Sequence, residues 1–291
     1  MSAEALQKRI KTTQELRDIV NNMKMLSSVS IWQYERANKA LDKYRRNLRN
    51  AFHALMLHGM EPQSLADNSG FARYLYILIG TDNGMVGKFN KEIIEKVRAD
   101  VREKKLQRDD VLFLVIGKRL AVLAEQAGLR VYYSAGISNS VKIVSSMAES
   151  ILLKTDEAVL REHINHVSVY FHRRASNTSV TLDNRQIMPY DKSMWKNLRD
   201  KKWETNNFPM ISADKKKLFS ALLREALLIV FIRLLNSSLA AEHYTRMTNM
   251  QEAEKNIDEN LERMNLAYQQ QRQENITDEL IDVISGAEAM A

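Results

Sequence analysis

Residues 75–93 read LYILIGTDNGMVGKFNKEI: an apolar run from Leu75 to Ile79, then Gly80, Gly84 and Gly87, then residues at helical spacing to Ile93. Strand, glycine turn and helix in that order open an α/β unit, and many such units hold nucleotide phosphates there. Spacing decides whether this one does. The dinucleotide fingerprint needs G-x-G-x-x-G, but here the first two glycines have three residues between them. A Walker loop needs a Ser or Thr after Gly-Lys, yet Phe89 follows Gly87-Lys88, and Asp82 stands where its first glycine belongs. The stretch therefore reads as a tight structural turn in which glycine supplies backbone freedom.

Outward from this turn, glycine and proline are unevenly spread. Neither occurs before Gly59; eight of the nine glycines and all three prolines lie between Gly59 and Pro209; only Gly286 follows. Both residues break helices, so two long helices flank a punctuated middle. In the first flank Leu26, Ser30, Tyr34, Ala37, Leu41, Tyr44, Leu48, Ala51 and Leu55 step by four and three, a heptad seam. Met247, Met250, Ala253, Ile257, Leu261, Met264 and Tyr268 repeat it near the other end. A helix over about 212–284 would be roughly 110 Å long. It is expected to pair antiparallel with the first helix.

The middle alternates. Strands are predicted over Arg73–Gly80, Val111–Gly117, Val131–Tyr133, Val167–Phe171 and Val180–Leu182. Helices are predicted over Lys88–Lys105, Lys118–Gln126 and Ser140–Lys154. That alternation argues a parallel sheet with right-handed crossovers, and the last two strands, joined by RRASNTS, read as a hairpin. The fold class is α/β plus a long helical coiled coil. Helices at the two ends form an antiparallel pair, with a small parallel-sheet, Rossmann-like domain between them. The predicted boundaries are 1–58, 59–209 and 210–291. GMEPQSLADNSG, 59–70, marks the first junction and 191–209 the second.

The chain has 291 residues, no cysteine and a net charge of +7. Without cysteine there are no disulfides, thiolate metal sites or cysteine nucleophiles. The charge favours acidic partners, nucleic acid among them. The longest apolar run, ALLIVFI from Ala226, is too short to span a bilayer, and no signal peptide is visible. His163 and His166 form an H-x-x-H pair but lack further ligands nearby, so they read as strand-entry histidines. No G-x-S-x-G is present. Glu252, Glu254, Asp258, Glu259 and Glu262, with Lys255 and Arg263, read as a solvated helix face. Lys39, Lys43, Arg45, Arg46 and Arg49 could meet phosphates or form a solvated face. YQQQRQENITDEL, 268–280, is almost wholly polar, yet LIDVISGAEAMA closes the chain with an apolar tip. A helix polar all round is either wrapped by another protein or frays, and the residues alone leave both open.

Four stretches together resemble the gamma subunit of F-type ATP synthases. LQKRIKTTQELRDIVNNMKML is similar to its opening helix, with Ile10, Ile19, Met23 and Met25 in register. GTDNGMVGKFN resembles the family's S-D-x-G-L-C-G-x-F-N loop through Asp82, Gly84, Gly87, Phe89 and Asn90. SSLAAEHYTRMTNMQEAEKNI matches through Glu242, Arg246, Met247, Met250, Ala253 and Asn256. RQENITDEL matches R-Q-x-x-I-T-x-E-L through Arg272, Gln273, Ile276, Thr277, Glu279 and Leu280. Met85-Val86 replaces the family's Leu-Cys, and Phe208-Pro209 replaces an acidic-Pro pair. SVSIWQYERA and the C-terminal stretch look closer to an alternate, sodium-translocating branch, leaving the coupling ion, proton or sodium, open.

The resemblance implies a rotor shaft with no catalytic site and no cofactor or metal of its own. Its implied partners are the alpha and beta subunits of the ATPase ring, the epsilon subunit and the c ring, with one copy per hetero-oligomeric complex. The implied place is peripheral, on the cytoplasmic face of a bacterial inner membrane. Met23, Glu242, Arg246, Arg272, Gln273, Thr277 and Glu279 would make the rotor–stator coupling contacts. Asp82, Gly84, Gly87, Phe89 and Asn90 would form a structural loop. The competing readings are a coiled-coil structural or nucleic-acid-binding protein, and a nucleotide-binding enzyme built on the α/β middle.

Overall fold

The computed structural model describes residues 3–60, 72–138, 140–176, 179–190, 192–203, 207 and 209–288. Most of the expected first junction, residues 177–178 of the RRASNTS loop, Phe208 and the last three residues of the apolar tip lie outside these. The elements run α1 (Ala3–Leu57), β1 (Tyr74–Ile79), α2 (Phe89–Glu103), β2 (Val111–Ile116), α3 (Lys118–Gln126), β3 (Val131–Ala135), α4 (Val144–Arg161), β4 (His166–Arg174), β5 (Val180–Met188), α5 (Lys192–Arg199) and α6 (Lys215–Glu288). By its contacts the chain forms two units, residues 30–245 and residues 1–29 with 246–291. Helices α1 and α6 supply residues to both.

The larger unit is built on a five-stranded sheet of order β3-β2-β1-β4-β5. Strands β1 to β4 are parallel, and β5 returns antiparallel beside β4. YLYILI and VLFLVI are apolar without interruption because these central strands are covered on both faces. Alternate side chains part to two cores. Leu75, Ile77, Ile79, Leu112, Leu114, Ile116, Val167, Val169 and Phe171 pack with α4 and with α1 and α6 through Tyr34, Leu48 and Ile229–Ala240. Tyr76, Leu78, Phe113, Val115 and Tyr170 point the other way, onto α2 and α3.

Edge strand β5 runs to Met188, six residues past its expected end, because most of its later residues face solvent and carry no apolar signal. Strand β4 is likewise longer than expected, and α4 continues to Arg161. Helix α5 was not visible in the sequence: its eight residues, KSMWKNLR, are too few for a periodic pattern.

The α1 seam differs from the expected one at two of its nine positions. Leu26 is 68% exposed and Tyr44 43%, whereas Ser27, Ile31 and Phe52 are buried. Tyr34, Leu48 and Leu55 are buried and Ser30, Ala37, Leu41 and Ala51 half-buried, as expected, and Ile31, Phe52 and the half-buried Asn38 join them. Counting apolar residues missed this because the true stripe includes polar members. Asn38 donates to Ser237 Oγ at 3.2 Å and accepts from Asn236 Nδ2 at 3.2 Å, a polar pairing of the kind that fixes helix register. Asp42–Arg233 and Tyr44–Glu225 extend the antiparallel pairing.

In the smaller unit α1 and α6 are also antiparallel, joined by the ion pairs Lys24–Glu254 and Arg17–Asp258. The α6 seam is as expected: Met250 and Met264 are buried, and Met247, Ala253, Ile257, Leu261 and Tyr268 are half-buried.

Two loops at the carboxyl end of the sheet touch backbone to backbone. Gly117 has φ 118°, and a Cβ there would lie 2.7 Å from Thr81 N and 2.9 Å from Gly80 C. Gly117→Ala is expected to cost at least about 1–3 kcal/mol through backbone strain alone. Urea unfolding should show a lower midpoint at unchanged slope; an unmoved midpoint would refute this close approach.

Candidate functional site

In open α/β sheets ligands bind outside the carboxyl ends of the strands, where the strand order reverses. Here the reversal lies between β1, whose crossover leads to β2, and β4 on its other side. The Gly80–Lys88 loop sits at that point, and its polar groups are turned inward. Thr81 N donates to Asn90 Oδ1 at 3.1 Å, and Asn90 Nδ2 donates to Thr81 Oγ1 at 3.0 Å. Thr81 Oγ1 in turn donates to Asn83 O at 2.9 Å. Asp82 Oδ1 accepts from Lys118 N at 2.6 Å and from Ile137 N at 3.0 Å, tying together the loops after β1, β2 and β3. The first amide of α3 is thus satisfied by the chain's own carboxylate, where a phosphate-binding fold would leave it for the ligand.

The crevice itself is filled by α6. Ala241 is buried against Val86 and Phe89, and Ser238 Oγ donates to Ile79 O at 3.3 Å. Phe89 is 3% exposed and stacks on His172 with ring centres 3.8 Å apart. Gly87 takes the left-handed conformation, φ 57°, that the turn needs, while Gly84 does not and simply leaves room for Arg119. Of the five loop residues expected from sequence, Asp82, Phe89 and Asn90 carry the contacts. Thr81 and Ser238, which complete the network, carry no spacing signal and were missed.

Also unforeseen is His172. It is 1% exposed, with Nε2 3.2 Å from Glu92 Oε2. Burial pulls its pKa below the ordinary 6.5, and Glu92 only partly opposes this. On the other side of the sheet, Tyr34 stacks on His243, ring centres 5.9 Å apart. Burial and the Glu242 carboxylate push the Tyr34 phenol up to about 12. Arg174 pairs with Glu35 and lies over the Tyr244 ring, 4.8 Å from its centre.

The remaining expected residues divide by exposure. Glu242 and Arg246 are buried, at 1% and 5% exposure. Met23 is half-buried beside the Lys24–Glu254 pair. Arg272, Gln273, Thr277 and Glu279 are exposed, and Thr277 Oγ1 donates to Gln273 O at 2.9 Å within the helix. The antiparallel register set by Arg17–Asp258 and Lys24–Glu254 carries the start of α1 to the neighbourhood of Arg272. Beyond that point no described residue of α1 lies opposite α6, and Ile276, Leu280, Ile281 and Ile284 are exposed. So are Leu16, Ile19, Met25, Leu26 and Val29 on α1.

Residues 2–290 match the family model described as ATP synthase. The ATP synthase gamma chain of Geobacter metallireducens is 25% identical over 294 residues, covering 99% of each chain. That of Staphylococcus haemolyticus is 22% identical over 298, again covering 99% of each. Among solved structures, a chain of the Euglena gracilis mitochondrial ATP synthase (OSCP/F1/c-ring, rotational state 3) matches with TM-score 0.66 at 16% identity. That match covers 99% of this chain and 94% of the other. A chain from the central stalk and c-ring of the Tetrahymena thermophila enzyme matches with TM-score 0.55 at 14% identity, covering 81% and 99%.

The buried His172 gives a pH dependence with a definite sign. Its native pKa lies below its unfolded value, so the unfolded chain binds more protons in that interval and stability rises with pH there. The contribution is complete above about 6.5 and is lost as pH falls through 6.5 toward the native value. His172→Gln should therefore lose less stability than the parent between pH 7.5 and 5.5. Equal losses in paired thermal unfolding would rule out His172 as a source of that dependence.

Proposed function

The chain belongs to the ATP synthase family and is a gamma subunit of an F-type enzyme, the shaft of its central stalk; from that premise we propose how its residues couple rotation to catalysis. The helical pair of α1 and α6 stands inside a ring of alternating alpha and beta subunits. It turns with the c ring and presents a different face to each beta subunit in turn. Each catalytic site changes state according to the face it meets, which is allostery through differential contacts with one moving element. Nucleotide chemistry belongs to beta; this chain has no catalytic site and needs no cofactor.

What supports this reading above all is the helical pair of the smaller unit. Two ion pairs hold its register, yet it leaves apolar side chains exposed along α1 and along the part of α6 that extends beyond α1. Such surfaces suit enclosure by a partner. Arg272, Gln273, Thr277 and Glu279 make polar contacts with the ring that are individually weak, as a bearing that must release requires. Glu242 and Arg246 reach a ring subunit only by turning out of their burial. Met23 lies at the neck, facing acidic loops of beta. The filled crevice and the inward-turned Asp82 loop weigh against the nucleotide-binding alternative.

The complex holds one copy of this chain with alpha, beta, epsilon and the c ring. It lies peripherally on the cytoplasmic face of a bacterial inner membrane, and no helix among the described residues is long and apolar enough to cross a membrane. A tagged chain should bring down alpha and beta in a three-three-one ratio. ATP-driven pumping with and without sodium then identifies the ion. Met23→Lys adds a cation that grips the acidic loops of beta. Pumping per ATP hydrolysed should fall, and unchanged pumping would reject Met23 as a coupling residue.

A further inference from the structure

At the opposite end of the sheet from the glycine loop, before β2 and β3 begin, lies an open pocket of about 290 Å3. Arg98 and Arg102 of α2, Arg108 before β2 and Arg130 before β3 line it over a floor that includes Phe113 and Leu129. No carboxylate is among the lining residues. Arg130 reaches Asp109 at 3.4 Å, a carboxylate that is 92% exposed. Asp110 is committed to the backbone of Gln107 at 2.9 Å. Among the described residues, Arg98, Arg102 and Arg108 form no ion pair.

The plain explanation is helix-dipole complementarity, since α2 and α3 both end here. Each helix end contributes only about half a negative charge. Two such ends with Asp109 and Asp110, whose hydrogen bond to Gln107 leaves its charge in place, offset about three of the four guanidinium charges, so a positive excess of about one remains. Guanidinium forks bind planar oxyanions and phosphates in paired hydrogen bonds. An apolar floor beneath a charged rim adds room for a small carbon body, and the volume is at the lower end for small-molecule sites.

We propose that this pocket binds a phosphate ester with a small organic body, held by the four arginines with its carbon portion on Phe113 and Leu129. A soluble metabolite and a phospholipid headgroup share that chemistry, and the test separates them. Glycerol 3-phosphate is titrated into the full chain by calorimetry. Separately, the chain is sedimented with vesicles of phosphatidylglycerol or of phosphatidylcholine. The variant Arg102→Ala/Arg108→Ala should weaken binding at least about tenfold. The variant Arg46→Ala/Arg49→Ala removes the same charge from α1, outside the pocket, and should not. Circular dichroism confirms that both variants fold.

Binding of glycerol 3-phosphate that falls only in the pocket variant supports a soluble ligand. Binding to phosphatidylglycerol vesicles alone, with the same variant dependence, supports a lipid headgroup. Binding to neither probe, or equal weakening by both variants, overturns the proposal. None of these outcomes bears on the rotor assignment, because the pull-down of ring subunits is read independently.

Discussion

A central parallel strand has two apolar faces, and both must be covered. Residues 75–79 and 111–116 are buried throughout, and that burial recruits every other part of the larger unit. One face takes α2 and α3, the crossover helices that parallel pairing obliges the chain to supply. The other face has α4, which covers only part of it. Tyr34 and Leu48 of α1 and Ile229–Ala240 of α6 cover the rest. The two terminal helices are therefore structural members of the α/β sandwich over these stretches. Full burial of a side chain as large as Phe231 is worth about 1.5–3 kcal/mol.

The same constraint explains the fate of the ligand crevice. An α/β sheet leaves a cleft at the carboxyl ends where strand order reverses, and here α6 lies in it through Ser238 and Ala241. Asp82 then takes the backbone amides that an anion would otherwise accept. The glycine loop occupies the position of a nucleotide-binding turn while its Asp82 carboxylate serves the fold. Occupying the cleft with its own helix and its own carboxylate stabilises the sheet end without a ligand.

Much of this was legible in the sequence. The alternation of strand and helix stretches announced a parallel sheet, and the absence of glycine and proline at both ends announced long helices. The failed spacing of Gly80, Gly84 and Gly87 indicated a structural turn. What remained hidden depends on contacts distant in sequence. His172 in β4 meets Glu92 of α2 across 80 residues, and Asn38 meets Ser237 across 199. Hydrophobic counting also misplaced Leu26 and Tyr44 in the α1 seam and overlooked the buried Ser27 and half-buried Asn38, polar members that no apolar pattern can register. Strand β5 was cut short for the reverse reason: edge strands with one solvated side show little apolar signal.

The smaller unit answers to a different balance. Its α6 seam contains Met250 and Met264 fully buried but Ala253, Ile257 and Leu261 only half so, and its α1 partner contributes Ser27, Lys24 and Arg17 among apolar residues. Such a pair buries less apolar surface per turn than the sandwich does. Its two interhelical ion pairs are part-exposed or exposed, which limits them to about 1 kcal/mol or less apiece. Meanwhile Ile19, Met25, Leu26 and Val29 remain on the outside. A helical pair that is weakly self-stabilised and apolar outside is suited to enclosure by a partner. Rotation adds a second demand, because tight, specific contacts would hold the shaft at one angle. Exposed methyl groups and amides, each contributing little and none requiring one partner, meet both demands together.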